Sequence, residues 1–204
     1  MRPWELFFRE KMIKLFSAGG KVIDIGGGLR LVKDKNNRYD PKREWLRPYL
    51  SKVDYKILDV VDTYHPDIVG DVHNLLFDDN SIDSIICIAV LQHVEEPHKA
   101  IKEIYRVLKP GGMAFIYVPF LFYYHAEKGY YKDYWRFTKD SLEYLTKPFA
   151  HSEIQSIRGA VETWIKISPL GRYKFINWLG YMLDIILEKL KSNQVSGYNI
   201  FLIK

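Results

Sequence analysis

Lys21-Val22-Ile23-Asp24-Ile25-Gly26-Gly27-Gly28-Leu29 is the stretch on which the fold turns. Apolar residues alternate with polar ones up to an acid, and three glycines follow in a row. A short buried strand running into such a triplet predicts a strand-to-helix turn with room beside its backbone. Glycine has no Cβ and accepts φ > 0, so a ligand can come close to the main chain there. A helix after the turn would set its free N–H groups and dipole end beside that ligand.

The chain on either side reads as a frame for this turn. Upstream, Trp4, Phe7, Phe8, Met12, Leu15 and Phe16 fall near one helical stripe, which Ser17-Ala18-Gly19-Gly20 ends. Glu5, Arg9, Glu10 and Lys11 run through that stripe, so an amphipathic helix is expected and not a signal peptide. Downstream, residues 33–44 form a charged, turn-prone loop. In it Pro41 opens a short helix through Trp45 and Leu46 before Pro48. Tyr55–Val61 and Asp67–Asp71 read as strands. Ile82–Leu91 is a near-continuous apolar run, as expected of a central strand covered on both faces.

Pro97 opens a helix with Ile101, Ile104, Tyr105 and Leu108 facing inward. Lys109-Pro110-Gly111-Gly112 stops it before a strand over Met113–Phe120. Strands alternating with helices predict an α/β fold with a doubly wound, mostly parallel sheet and ligands at the carboxyl ends of the strands. Beyond Pro119 comes an aromatic segment over residues 120–137. Thr138-Lys139-Asp140-Ser141 then reads as a cap before a helix over Leu142–Leu145, and Ser152–Ile157 is a further strand. Arg172–Lys191 reads as a long apolar helix with Asn177, Asp184, Glu188 and Lys191 on its polar side. Tyr198–Ile203 is the last strand. The expectation is one domain over 1–204, with a core over roughly 20–145 and a helical insertion or lid over 160–192.

Composition narrows the classes. With 48% apolar and 27% charged residues in 204, the chain suits a packed core and not disorder. The net charge of +5 is spread over loop residues, so no nucleic-acid groove is indicated. Cys87, alone in the chain, sits in an apolar run and reads as a small buried core residue, which fits a reducing, cytoplasmic setting. The 172–191 helix is interrupted by Asn177, Asp184 and Glu188, which argues against a transmembrane span. Peripheral membrane contact and pairing into a homodimer stay open for it. No metal site is expected.

The chemistry gathers at strand ends. Gly26 to Gly28, Asp59 (or Asp62), Asp71 and the segment Ala89–His93 close successive strands, and so lie side by side along one sheet edge. A glycine turn with an acid after the second strand is how such folds hold an adenosine, the carboxylate accepting from the ribose hydroxyls. With these residues in view, the sequence resembles the class I S-adenosylmethionine-dependent methyltransferases, most closely the type 11 kind. VIDIGGG looks like that family's first motif, LDVVD its second-strand acid and DIVGDVHNLLFDDNSID its adenine segment. IICIAVLQHVEEPHKAIKEIYRVLKPGGMAFIYVP is similar to its fourth strand, helix and fifth strand almost end to end.

The resemblance implies a Rossmann-like, seven-stranded-type sheet with an antiparallel last strand. It implies S-adenosylmethionine as cofactor, and methyl transfer to an oxygen or nitrogen of a small-molecule or glycan acceptor. By position, Asp24, Gly26, Gly27 and Gly28 would line its methionine end and Asp59 would hold the ribose. Asp71 and Val72 would flank the adenine, and Ala89, Gln92 and His93 would close the pocket. His125, then Asp133, are the expected general bases for an alcohol nucleophile, whereas an amine or carboxylate would need none. Tyr124, Tyr134, Trp135 and Arg136 are the expected substrate contacts. A packed loop with Asp133 paired to Arg136 is the competing reading of that segment.

Two departures stand out: Arg30 occupies the place of a third alternating glycine, and the gap from Asp24 to Asp59 exceeds the usual ~20 residues. Leu31 stands where a nicotinamide fingerprint needs glycine, and no GKS or GKT follows a glycine loop. Dehydrogenase and nucleotide triphosphatase readings therefore fall away. The alternatives from other classes are a non-catalytic binding or scaffold protein of the same fold, and different chemistry on a related nucleoside cofactor.

Overall fold

The computed structural model describes residues 1–31 and 39–204. Seven strands form one sheet: β1 (Gly20–Ile25), β2 (Val53–Asp59), β3 (Ile68–Val69), β4 (Ile82–Ile88), β5 (Leu108–Pro119), β6 (His151–Ile157) and β7 (Gly197–Ile203). Their spatial order is β3-β2-β1-β4-β5-β7-β6. β1 to β5 pair in parallel, and β7 enters antiparallel between β5 and β6. The expected doubly wound sheet with an antiparallel last strand is what the chain builds.

Strand periodicity of two divides the core into two layers. Ile23, Ile25, Ile85, Cys87, Ala114 and Ile116 face one way, with α2 (Pro97–Val107) and α3 (Lys139–Leu145) against them. Val22, Ile86 and Phe115 face the other way. They meet Met12, Leu15 and Phe16 of α1 (Pro3–Ser17), together with Leu29, Leu31 and Leu46. In α2, Ala100, Ile101, Ile104 and Val107 are buried; of the predicted inward stripe Ile101 and Ile104 hold, whereas Tyr105 is half-buried and Leu108 belongs to β5. Thr138 caps α3 through its side chain, which accepts from the Ser141 N–H at 3.2 Å.

The glycine turn differs from expectation. Gly26 and Gly27 take φ of +76° and +57°, and Arg30 takes +56°, in the left-handed region that favours glycine. Among the described residues no α-helix follows the turn. The next element is a 3₁₀ run over Pro41–Lys52, capped by Asp40, whose carboxylate accepts from the Lys42 N–H at 3.0 Å. It continues through Pro48, where the sequence predicts a stop. Of the charged loop 33–44, residues 33–38 lie outside the described residues.

Strand ends shift as well. β2 stops at Asp59 and not Val61, which puts Asp59 at the strand end and leaves Asp62 to open a 3₁₀ turn. β4 stops at Ile88 because Ala89 adopts φ +56°. The largest difference lies in the helical segment before β7. It holds α4 (Ala160–Ile167), α5 (Lys174–Ile186) and two 3₁₀ turns, not one helix over 172–191. Glu188, at φ +54°, turns the chain out of α5. Asp184 is fully buried and not on a solvated side. Its two carboxylate oxygens accept from Val161 N–H and Glu162 N–H at 2.8 and 2.9 Å, capping α4.

Candidate functional site

The carboxyl ends of β1 to β4 open into a cleft of about 700 Å³, within the range of small-molecule sites. β1 contributes Ile25 and Gly26, β2 Leu58 and Asp59, and the chain after β3 contributes Gly70 to His73. Val90, His93 and Val94 come from the end of β4. Gly26 is needed twice over. Its N–H donates to the Leu58 carbonyl at 2.7 Å, and a Cβ built on it would stand 2.4 Å from Val90 Cγ2.

The polar groups of this cleft are tied into the scaffold. Asp59 accepts from Val61 N–H at 3.2 Å, closing a turn at the strand end. Asp71 accepts from the His73 N–H at 2.9 Å and lies 2.7 Å from His73 Nδ1. His73 Nε2 in turn lies 3.2 Å from Glu96 N–H, at the start of α2. His73 is thus a bonded link between the end of β3 and the start of α2. His93 Nδ1 lies 2.6 Å from the Lys132 carbonyl, and burial lowers the imidazole pKa.

One wall of the cleft is the aromatic segment after β5, which supplies Tyr124, Tyr130, Tyr131 and Tyr134. Asp133 organises this loop. Its covered carboxylate takes two bonds from Arg136, at 2.6 and 2.7 Å, and one from His125 N–H at 2.9 Å. The Arg136 guanidinium first, then the His125 N–H, hold the Asp133 pKa at about 2. Arg136 also donates to the Tyr123 carbonyl, and Trp135 Nε1 donates to the Val94 carbonyl at 2.8 Å. Gln92 is fully buried, and its carbonyl accepts from Tyr134 N–H and Trp135 N–H.

The predicted residues therefore divide. Gly26, Asp59, Asp71, Val72, His93, Tyr124 and Tyr134 line the cleft. Asp24 and Gln92 are fully buried, and Gly27, Gly28 and Ala89 do not line it. Arg136 and Asp133 spend their polar atoms on the loop itself, and Trp135 ties it to Val94. His125 sits 3.3 Å from Asp133 Oδ2 through Nδ1, and its Nε2 lies 3.4 Å from Gln92 Nε2.

Asp24 lies beneath the glycine turn and is fully buried. Its Oδ2 accepts from Leu29 N–H at 3.0 Å and from the Tyr55 hydroxyl at 2.6 Å. Its Oδ1 has no partner among the described residues. Burial pushes its pKa up to about 6, against the pull of Tyr55, Leu29 and the Arg43 cation.

A second cleft, of about 570 Å³, lies on the α1 side of the sheet. Phe8, Trp45, Phe115 and Tyr117 line it, with Arg9, Arg43 and Arg158 among its cations. Arg43 stacks over the Phe8 ring at 4.9 Å and Arg9 over Trp45 at 4.6 Å. Of its carboxylates, Glu5 accepts from Arg2 N–H at the start of α1, and Asp40 caps the 3₁₀ run. The sequence does not reveal this site, because its walls come from α1, residues 40–45, β4, β5 and the end of β6.

Gly26 of the glycine turn lines the first cleft, and Gly28 packs against a residue of the second. A Cβ on Gly28 would meet Ile88 Cβ at 2.6 Å, and Ile88 lines the second cleft as Val90 lines the first.

Comparison with known proteins bears on the fold that carries these clefts. A family model described as a methyltransferase domain matches residues 47–116. An uncharacterised 37.1 kDa protein of a Streptomyces fradiae transposon is 50% identical over 101 residues, covering 50% of this chain and 24% of that protein. The chloroplastic 2-methyl-6-phytyl-1,4-hydroquinone methyltransferase 1 of Oryza sativa subsp. japonica is 28% identical over 115 residues, 52% of this chain and 33% of its own. The chain thus spans 24% and 33% of the length of these two curated relatives. In structure, a SAM-dependent methyltransferase from Archaeoglobus fulgidus superposes with a TM-score of 0.60 at 16% identity. The match covers 98% of this chain and 94% of that one.

Proposed function

We propose that this chain, a class I, Rossmann-like methyltransferase by fold and matched domain, moves a methyl group from S-adenosylmethionine to a nucleophile in the second cleft. One observation carries the reading: Gly26 lines the first cleft beside Val90, and Gly28, two residues on, packs against Ile88, which lines the second. A cofactor in one and an acceptor in the other would meet at that turn.

The residues present fit the cofactor. Asp59 ends β2 where a carboxylate can accept from a ribose diol. Asp71 and Val72 offer an acid and an apolar side to an adenine edge, and the bare backbone of Gly26 admits the methionine end. S-adenosylmethionine supplies, when bound, an electrophilic methyl on a sulfonium that a lone pair displaces in line. The chain's own task is to align that lone pair and exclude water. The loop anchored by Asp133 and Arg136 walls the first cleft for this purpose.

The second cleft favours a planar acceptor with negative charge, since aromatic rings and guanidiniums line it. Its carboxylates serve as caps, so among the described residues it offers no evident general base. A carboxylate or an acidic phenol, which brings its own lone pair, suits it. Asp133, held near 2, anchors its loop and accepts no proton at neutral pH.

Calorimetric titration with S-adenosylhomocysteine tests the cofactor site, with Asp59→Ala expected to weaken binding at least ~10-fold. Release of S-adenosylhomocysteine from S-adenosylmethionine, in the presence of aromatic acids and of their neutral amides, tests the acceptor. The acids should turn over, and Arg43→Gln should raise their KM while cofactor affinity stays unchanged. Equal turnover of acids and amides would remove the charge argument. No binding of either cofactor form would remove the enzyme reading.

A further inference from the structure

α5 is built inside out. Phe175, Trp178, Leu179, Met182, Leu183 and Ile186 follow the i, i+3, i+4 spacing of one helix face. That face points to solvent, with Phe175 67%, Trp178 49% and Ile186 69% exposed. The opposite face, carrying Gly180 and Asp184, is buried. α4 repeats the pattern, with Trp164 71% exposed while Glu162 is buried and paired with Arg2.

The inward face cannot roll over to hide the apolar one. Asp184 holds Val161 N–H and Glu162 N–H, and a Cβ on Gly180 would stand 2.7 Å from Ile165 Cδ1. Rotation would strip the cap from α4 and open a tight helix contact. The exposed stripe is thus part of the fold's design, and an apolar phase outside this chain is what it fits.

The charges around the stripe identify that phase. Lys166, Arg172, Lys174, Lys189 and Lys191 flank it, none of them in an ion pair among the described residues. The acids between 160 and 192 are Glu162 and Asp184, both buried, and the exposed Glu188. We propose that α4 and α5 form a docking face for an anionic lipid surface, apolar side chains entering the bilayer boundary and the cations meeting phosphate headgroups. Pairing of two copies through this face would bring like cations together around the seam, which disfavours it. α5 has 13 residues, and no described helix is long and apolar enough to cross a membrane, so it would lie in the interface plane. The inference stands independently of the acceptor reading.

The full chain, sedimented with sucrose-loaded vesicles, tests it. Vesicles of phosphatidylcholine with about one quarter phosphatidylglycerol should bind on the order of tenfold more tightly than phosphatidylcholine alone. A blue shift of tryptophan emission should accompany binding. Trp178→Ser with Ile186→Ser should lower binding on the order of tenfold. Lys189→Glu with Lys191→Glu should remove the preference for the anionic vesicles. S-adenosylhomocysteine titration and circular dichroism show whether these exposed substitutions leave the fold intact. Absent sedimentation of the wild type, or sedimentation unchanged by the serine pair, overturns the proposal. So does a dimer in analytical ultracentrifugation that the serine pair dissolves, since a second copy would then be the occupant.

Discussion

α2 and α5 are both amphipathic helices in one chain, and they face opposite ways. In α2 the stripe Ala100, Ile101, Ile104 and Val107 is buried against the sheet, while Lys99 and Lys102 lie exposed. In α5 the apolar stripe is exposed and the acid Asp184 is buried. Helical periodicity reports that a stripe exists and how wide it is. It does not report which side the rest of the molecule occupies. For α2 that side is fixed by a parallel sheet that must be covered. For α5 it is fixed by two backbone N–H groups of α4 that need an acceptor.

Substitution in the inward stripe of α2 should have the largest effect. Ile104 is fully buried, so Ile104→Ala should cost about 3–4 kcal/mol, through lost transfer energy and a cavity. Urea unfolding midpoints check it. A cost below ~1 kcal/mol would mean that α2 packs loosely and that its contrast with α5 is one of degree.

Asp24 gives the next effect, beneath the same sheet. Its carboxyl moves from 3.8 to about 6 in the fold, because burial disfavours the charge. The folded chain therefore holds the proton longer than the unfolded chain. Stability from this group is complete below pH 3.8 and is lost as pH rises through about 6, worth about 3 kcal/mol at most. Asp24→Asn should flatten stability over that window. Thermal melts of both proteins from about pH 4 to pH 7 check it, and parallel curves would show that Arg43 compensates the charge fully.

Asp184→Ala sharpens the comparison from the other helix. It strands Val161 N–H and Glu162 N–H without acceptors, at a cost of about 2 kcal/mol. Asp184→Asn, which keeps an acceptor oxygen, should recover about half of it. If both variants were neutral, the polar inward face of α5 would have no structural reason, and its direction would need another cause.

What the sequence made legible follows contiguity. β1, and the run from β4 through α2 to β5, are unbroken in sequence, and each element appears where the residues call for it with its ends shifted: β4 closes at Ile88, and Leu108 to Gly112 belong to β5. The Asp133–Arg136 pair, three residues apart, was visible as the competing reading of the aromatic loop. Trp135 on the Val94 carbonyl was not, because its partner lies 41 residues away. The second cleft joins Phe8, Arg43, Tyr117 and Arg158, and no local pattern links such positions. Asp184 was misplaced for the same reason. An acid among apolar residues reads as a solvated side unless the N–H groups it caps, 22 and 23 residues away, are known.

The smallest expected effect bears most directly on the comparison. Ile186 of α5 is as apolar as Ile104 of α2, yet 69% exposed, so Ile186→Ser should change stability by no more than about 0.5 kcal/mol. Burial, and not residue type, sets the cost of removing a methylene. Measured by urea unfolding beside Ile104→Ser, the pair should differ by about 3 kcal/mol or more. A cost above ~1 kcal/mol for Ile186→Ser, independent of protein concentration, would mean that the stripe is covered within the chain itself. The same cost growing with protein concentration would instead mean that copies cover one another. Near-neutrality in water, with loss of binding to anionic vesicles, is the combination expected of a face that folding leaves bare and a lipid surface fills.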